Sequence, residues 1–482
     1  MPLRILFITA EAAPFAKTGG LADVAGSLPK ALAALGHDVR IVMPAHAPIE
    51  RALQEGRWGL RAIGPTMRVP ILGGITAGAM EAKLPGSDVA VHFIAERSLF
   101  DRPDLYGYAD DAYRFAFFSR AALHFTVEHR DWRPDIVHAH DWHAAPAILW
   151  LATGGQLDPR YRGLPTLLTI HNLLHQGRTT TDILRYLGAG GPHIWEEGAG
   201  EVNLMARGIY HATMINTVSP TYASEILRPD GGAGLDGLLR YRQFDVHGIL
   251  NGLDDEVWDP SRDAHLAATY DADAIDRREE NKRALQARLG LPARTDVPLI
   301  AMVSRLDVQK GVDLAAPVVS WLLERGDGEV QFAVLGSGAA EYEHVFRRLA
   351  ARHPQQAAAV FSYDPELAPL MYAGSDVFLM PSRFEPCGLG QLIAMRYGCV
   401  PVVRATGGLA DTVEDGVTGF TFGPYDSAAF LDALQRAIGV FRNAPGEWHS
   451  IQRRGMGQDF SWAASAKRYQ QVYEWARARG GT

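Results

Sequence analysis

Cysteine is nearly absent: Cys387 and Cys399 are the two in 482 residues. Two thiols cannot build a disulfide framework, and that usage suits a reducing compartment. No run of about 18 apolar residues occurs, so no membrane-spanning helix is expected. No basic segment precedes a long apolar one at the N-terminus, which enters a strand directly, so no signal peptide is expected. These absences together predict a cytoplasmic protein. Positive charge is also short: the net charge is −8, and the lysines are few beside the arginines. With a pI near 6.1 the chain lacks the basic footprint of a nucleic-acid binder. No short-period repeat and no low-complexity segment appears.

What remains is an ordinary globular composition, 47% hydrophobic and 21% charged. The length exceeds a single core, so two domains are expected. Short apolar runs alternate with helical patterns: Ile5–Ile8, Val39–Met43, Val89–Ile94, Ile136–Ala139 and Thr166–Ile170. That alternation predicts βαβ units and parallel sheets. It pauses around Leu250-Asn251-Gly252-Leu253-Asp254. A polar helix follows over Asp273–Leu289, and a second strand series begins at Pro298–Val303 and continues at Gln331–Leu335, Val377–Met380 and Val400–Val403. The pattern predicts an α/β chain of two Rossmann-like domains facing a cleft, over residues 1–250 and 251–460. The tail, 461–482, reads as an amphipathic helix with Trp462, Tyr469, Val472 and Tyr473 on its apolar positions.

Chemistry-bearing residues cluster after predicted strands, where open α/β sheets bind ligands. Lys17-Thr18-Gly19-Gly20 lies between the first strand and a helix expected from Val24 to Leu35. Glycines there let backbone N–H groups approach an anion, or simply make a tight turn. The run lacks the dinucleotide pattern G-x-G-x-x-G. Arg305 and Lys310 flank the end of the first strand of the second series. A guanidinium that grips phosphate oxygens bidentately, with an ammonium beside it, suits a departing diphosphate. His138, His140, Asp141 and His143 follow another strand. No cysteine pair or H-E-x-x-H helix supports zinc, so no metal site is expected. Glu385 stands between a strand and a helix start, where N–H dipoles hold a carboxylate ionised; it is either a ligand for sugar hydroxyls or a cap for that helix.

The octet Lys17-Thr18-Gly19-Gly20-Leu21-Ala22-Asp23-Val24, just after Ala10-Glu11-Ala12-Ala13-Pro14, resembles the N-terminal signature of bacterial glycogen synthases and plant starch synthases. These are ADP-glucose-dependent glucosyltransferases. The resemblance continues in family order to about Val417: His138-Ala139-His140-Asp141-Trp142-His143, Thr169-Ile170-His171-Asn172 with Gln176-Gly177, Ser304-Arg305-Leu306 with Gln309-Lys310-Gly311, and Phe384-Glu385-Pro386-Cys387-Gly388-Leu389. It implies a GT-B fold, an acceptor-side first domain, a nucleotide-sugar donor domain second, and a terminal helix packing back on the first. It implies catalytic roles for Glu385, Arg305, Lys310, Asp141 and His171. It implies substrate contacts at Lys17, Gly19, Gly20, His143, Asn172, Gln176, Asn251, Gly336, Cys387, Gly388, Leu389, Thr406, Gly407 and Gly408. His138 and His140 read as structural. Cys387 reads equally as a reactive thiol or as a packed, inert one.

Two positions refine the comparison. Many GT-B enzymes carry a second glutamate where this chain has Ile393, and the glycogen synthase branch commonly lacks it. Gly390 departs from the threonine usual in that branch. The resemblance implies retaining transfer of glucose from ADP-glucose to O4 at the non-reducing end of an α-1,4-glucan, with no cofactor and no divalent metal. The alternatives are a UDP-glucose-dependent GT-B transferase and a non-catalytic glucan-binding protein on the same fold. The intact Arg305, Lys310 and Glu385 argue against the second.

Overall fold

The computed structural model describes residues 2–129, 132–325, 329–362 and 364–480. The last two residues of the expected terminal segment lie outside that range. The chain divides into two compact units, Met1–Gly252 with Trp462–Thr482, and Leu253–Ser461.

The first unit is built on a ten-stranded sheet. Its middle is parallel, because Arg4–Ile8, Asp38–Pro44, Ala90–Ala95, Ile136–His140, Thr166–Ile170, Met214–Thr217 and Val246–Gly248 pair only in that sense with one another. Apart from the edge strand Val246–Gly248, the apolar runs among them are largely buried on both faces, as parallel strands require. The order reverses at Arg4–Ile8, which lies between Asp38–Pro44 and Ile136–His140. An antiparallel extension, Ile75–Lys83 with Arg61–Ala62 and Met67–Val69, was not expected. Its long strand, Ile75–Lys83, mixes small and polar residues with no regular alternation, which gives little hydrophobic periodicity to read.

The first helix runs Gly20–Ala34, four residues earlier than the apolar period suggests. Leu21 and Ala22 are buried along with Val24 and Ala25, so the core-facing stripe starts in the first turn. The terminal helix, Trp462–Gly480, belongs to this unit. It inserts Trp462, Ala466, Tyr469, Val472, Tyr473 and Ala476 among Ile5, Phe7, Val39 and Ile41 of the sheet core. The side chains at i, i+4, i+7 and i+11 form one stripe, as a helix docked on a core needs.

The second unit carries a wholly parallel six-stranded sheet in the order Ala357–Val360, Gln331–Leu335, Leu299–Val303, Val377–Met380, Val400–Arg404, Phe420–Phe422. Here the order reverses at Leu299–Val303. The helix expected over Asp273–Leu289 is a 3-10 turn, Ile275–Arg277, followed by an α-helix, Arg278–Leu289. Arg278 explains the break. It turns inward and donates to the carbonyls of Tyr397 and Tyr372, at 2.8 and 3.3 Å, and to that of Ser375. Among the described residues no helix is long and apolar enough to cross a membrane.

Candidate active site

Each sheet offers its carboxyl edge at the point where the strand order reverses, the usual ligand position in such sheets. The predicted residues divide between the two edges.

In the first unit, Ile136–His140 runs directly into the helix Asp141–Ala152. Asp141 makes that turn in the left-handed region, at φ 54°. Such a conformation is costly for a residue with a β-carbon and persists only where surroundings hold it. They do: the buried Asp141 carboxylate accepts the His171 backbone N–H at 2.7 Å, and weakly that of Asn172 at 3.5 Å. Burial pushes the Asp141 carboxyl up to about 7, against the pull of those two amides. The strained turn thus brings a carboxylate onto the end of the neighbouring strand, Thr166–Ile170.

His171 stands at that strand end, and its Nε2 lies 2.9 Å from Nδ1 of His140. Burial pushes His171 down to about 3, so it is a neutral imidazole at physiological pH. His143 is buried among Tyr106, Phe115 and Trp142, with ring centroids 4.2–4.7 Å away. Desolvation holds it neutral as well. Asn172 uses its Oδ1 to accept the Leu174 N–H at 3.1 Å. Gln176 is fully engaged. Its amide donates to the carbonyls of Leu173 and Ala233, and its Oε1 accepts from Asn203 at 2.7 Å. In this structure Gln176 braces the loop. Asn251 is buried, and its Oδ1 has no hydrogen-bond partner among the described residues.

The Lys17–Gly20 loop is exposed. Its amides hold an anion, but an internal one. The Thr18 N–H donates to the buried Glu11 carboxylate at 2.5 Å, and the Gly19 N–H also bonds to it. Burial pushes that carboxyl up to about 7. Lys17 donates to Asp23 at 2.6 Å. Glu11 gave no signal of this role in sequence, because the contact depends on the loop folding back over it.

In the second unit, Lys310 Nζ donates to Glu385 Oε2 at 2.6 Å, and the Ser382 hydroxyl donates to the same oxygen at 3.0 Å. Lys310 is placed by a short 3-10 turn, Val308–Lys310, which Asp307 caps by accepting the Lys310 N–H. Gly311 then leaves at φ 73°, where a β-carbon would collide with the Pro381 carbonyl. That close approach sets Lys310 against the strand end carrying Ser382 and Glu385. Arg305 is exposed and reaches Asp307 at 2.8 Å and Gln309 at 3.3 Å. No side chain caps the helix Gly390–Arg396, whose N-cap is Leu389. Glu385 is therefore not a helix cap.

The loop Thr406-Gly407-Gly408 is buried and packs on Glu385-Pro386-Cys387. The Gly408 N–H donates to the carbonyls of Glu385 and Pro386 at 3.1 and 3.2 Å. β-Carbons on Gly407 and Gly408 would strike the Glu385 and Cys387 carbonyls. The visible work of these glycines is close packing that fixes the Glu385 backbone. Cys387 is buried, Gly388 sits at φ 77°, and both carbonyls accept from Gln391, at 2.9 and 3.2 Å. Gly336 ends the neighbouring strand, with its N–H bonded to the Val360 carbonyl at 3.0 Å. Ile393 is buried in the core. Gly390 faces Phe378 and Met380, which a β-carbon would meet at 3.1 and 3.2 Å. Among the described residues no group of three or more His, Cys, Asp or Glu is placed to hold a metal ion.

Comparison with known proteins bears on these two edges together. Residues 4–241 match the family described as "Starch synthase catalytic domain", and residues 286–439 match "Glycosyl transferases group 1". A glycogen synthase of Moorella thermoacetica is 46% identical, over 98% of this chain and 96% of its own. One from Syntrophotalea carbinolica is 44% identical over 98% of each. The catalytic domain of starch synthase IV from Arabidopsis thaliana, solved with ADP and acarbose, has a TM-score of 0.89 at 33% identity, over 99% of this chain and 100% of that one. Sucrose-phosphate synthase from Thermosynechococcus elongatus shares the fold at a TM-score of 0.62 and 19% identity, over 99% of this chain and 100% of that one.

Proposed function

The chain belongs to the glycogen synthase family, and from that membership we propose that it transfers glucose from ADP-glucose to O4 at the non-reducing end of an α-1,4-glucan, with retention. It is a glycosyltransferase of the GT-B fold. The observation that carries the donor-side reading is the Lys310–Glu385 contact, with Arg305 on the same strand-end loop.

Breaking the glycosidic bond drives negative charge onto the diphosphate. Arg305 and Lys310 meet that charge as it grows, and an interaction that strengthens toward the transition state raises turnover. Glu385 accepts hydrogen bonds from glucose hydroxyls and fixes the anomeric carbon. Asp141 and the neutral His171 are assigned to glucose hydroxyls as well, and an uncharged imidazole does not oppose positive charge building on the ring. Lys17 supports the phosphates or the acceptor side. The acceptor O4 attacks from the face the diphosphate leaves, and a departing phosphate oxygen takes the O4 proton. No protein base is needed, and the cationic side chains neutralise the diphosphate without a divalent metal. The reaction would run in the cytoplasm, a setting suited by two buried cysteines that form no disulfide.

The test is glucosyl transfer to glycogen from ADP-glucose and UDP-glucose side by side, with and without EDTA. ADP-glucose should give much the larger kcat/KM, and EDTA should leave activity intact. Equal or better use of UDP-glucose would overturn the donor. Complete loss with EDTA would overturn the metal-free scheme.

A further inference from the structure

The histidines that read as structural in sequence belong to two hydrogen-bonded groups that meet at a ring contact: a network around His138, and the His140–His171 pair. The network starts on the terminal helix. Asn216 Nδ2 donates to the Tyr469 hydroxyl at 3.2 Å, so its Oδ1 is left as an acceptor, and the Thr169 hydroxyl donates to it. With its proton committed, Thr169 Oγ1 can only accept from His138 Nε2, 2.6 Å away. His138 therefore carries its proton on Nε2. Its Nδ1 is then bare and accepts the Tyr473 hydroxyl proton at 2.8 Å. All these side chains are fully buried.

His140 packs against Phe7 and His138, with ring centroids 3.9 and 4.1 Å away and the rings tilted. Its Nε2 is buried and has no hydrogen-bond partner among the described residues. A proton there would be an orphaned N–H donor, which folded proteins avoid more strictly than an idle lone pair. A proton on Nδ1 has an acceptor, His171 Nε2, at 2.9 Å. Burial keeps both rings neutral, so a single proton lies between them.

We propose that His140 is a positioning residue that donates Nδ1–H to His171 Nε2 and so fixes His171 as the Nδ1–H tautomer, presenting that N–H as the donor to a sugar oxygen. The proposal rests on the sugar-facing role given to His171 above. The assignment follows from which partner each ring nitrogen has, the ordinary basis for choosing a tautomer. His140 itself need not touch substrate. It also gives the terminal helix a part in the chemistry, since Tyr473 and Tyr469 anchor the ring against which His140 packs.

The experiment uses the full-length protein labelled with 15N-histidine. Long-range 1H–15N correlation spectra distinguish protonated from bare ring nitrogens, and loss of signals in His171→Gln identifies His171. The expected spectrum has His171 protonated at Nδ1 and bare at Nε2. A proton on His171 Nε2 overturns the proposal. A kinetic arm compares His140→Asn, whose side-chain amide still offers a donor near the Nδ1 position, with His140→Leu, which offers none. His140→Leu should lose roughly tenfold to a hundredfold in kcat with glucan KM little changed, and His140→Asn should stay within about threefold. Equal losses in the two variants overturn it, because a packing role would not distinguish them by donor capacity. If His140→Leu does not fold, the spectrum of the unaltered protein decides. If His171→Gln turns over normally, the sugar-facing role of His171 falls and takes the kinetic half of this proposal with it, while the tautomer still answers to the spectrum.

Discussion

Replacing Glu385 by Gln keeps the side chain's shape and removes its charge. The Lys310–Glu385 pair is 2.6 Å long, with 18% and 6% of the two side chains exposed. Breaking a buried pair from one side costs about 3–5 kcal/mol when the other charge is left with nothing. Here a Gln oxygen in the place of Oε2 still accepts from both Lys310 and the Ser382 hydroxyl. The smaller figure for a hydrogen bond to a charged group applies, about 1.5–3 kcal/mol. In a unit of roughly 200 residues, each kcal/mol lowers the melting temperature by about 2–4 °C. The melting temperature should therefore fall by roughly 3–12 °C.

The same carboxylate is assigned to the glucose hydroxyls. If that contact tightens as the bond breaks, kcat should fall by roughly one to two powers of ten, with donor KM moving less. Melting followed by circular dichroism, beside glucosyl transfer at varied donor concentration, separates the two effects. A lowered melting temperature with unchanged kcat would make Glu385 a scaffold for Lys310 and remove it from the chemistry. No change in either would refute the contact itself.

The two cations should part company. Arg305→Ala removes an exposed side chain and should cut kcat by about ten- to a hundredfold with little change in melting, whereas Lys310→Met should lower both, since it strands the buried Glu385; equal behaviour in melts and assays would refute the distinction. The raised carboxyls of Asp141 and Glu11, both about 7, mean that the native state binds protons more tightly than the unfolded chain up to that pH. Their stabilising contribution is complete below the ordinary carboxylate range and is lost as pH rises through about 7. The depressed histidines, still half-protonated near pH 6.5 in the unfolded chain, act in the opposite sense, so the test is a difference: as pH rises from about 5 to about 7.5, the melting temperature of the unaltered protein should fall relative to that of Asp141→Asn. If Asp141 works ionised, kcat/KM should rise across the same interval, and a flat pH profile would remove that requirement. Gly390→Thr, the residue usual in the resembling branch, should cost about 1–3 kcal/mol in a chemical-denaturation series, because Phe378 and Met380 occupy the space a β-carbon needs; an unchanged midpoint would show that those side chains yield freely.

Much of this was legible because strand ends are legible. Apolar runs such as Ile5–Ile8 and Val377–Met380 mark parallel strands by composition alone, and the residues just beyond them fall on the binding edge by topology. Lys310 and Glu385 were placed that way before their contact was visible. What was not legible depends on distance in sequence. Glu11 lies seven residues from Thr18, yet its burial and its bond to that loop appear only once the loop folds back. Gln176 carries the motif, but its polar atoms meet Ala233 and Asn203, which no local pattern announces. The tie between Tyr473 and His138 spans 335 residues. His140 looked like packing because its ring is packed; only the direction of one nitrogen gives it another role. The antiparallel extension at Ile75–Lys83 escaped for a simpler reason, since its small and polar residues leave no clear period.

The second unit is inserted in the first: the chain leaves the first after Gly252 and returns to it with the helix Trp462–Gly480. Synthesis proceeds from the N-terminus, so the usual sequence, in which the N-terminal domain completes first, is reversed here. All of Leu253–Ser461 has been made before the first unit receives Trp462, Tyr469 and Tyr473. Until then the core around Ile5, Phe7 and Val39 stays open on one side, and His138 lacks the hydroxyl that fills its Nδ1. The anchor of His138 is therefore supplied by residues made after the whole of the second unit, and a chain truncated before Trp462 would keep every named strand of both sheets while lacking that anchor.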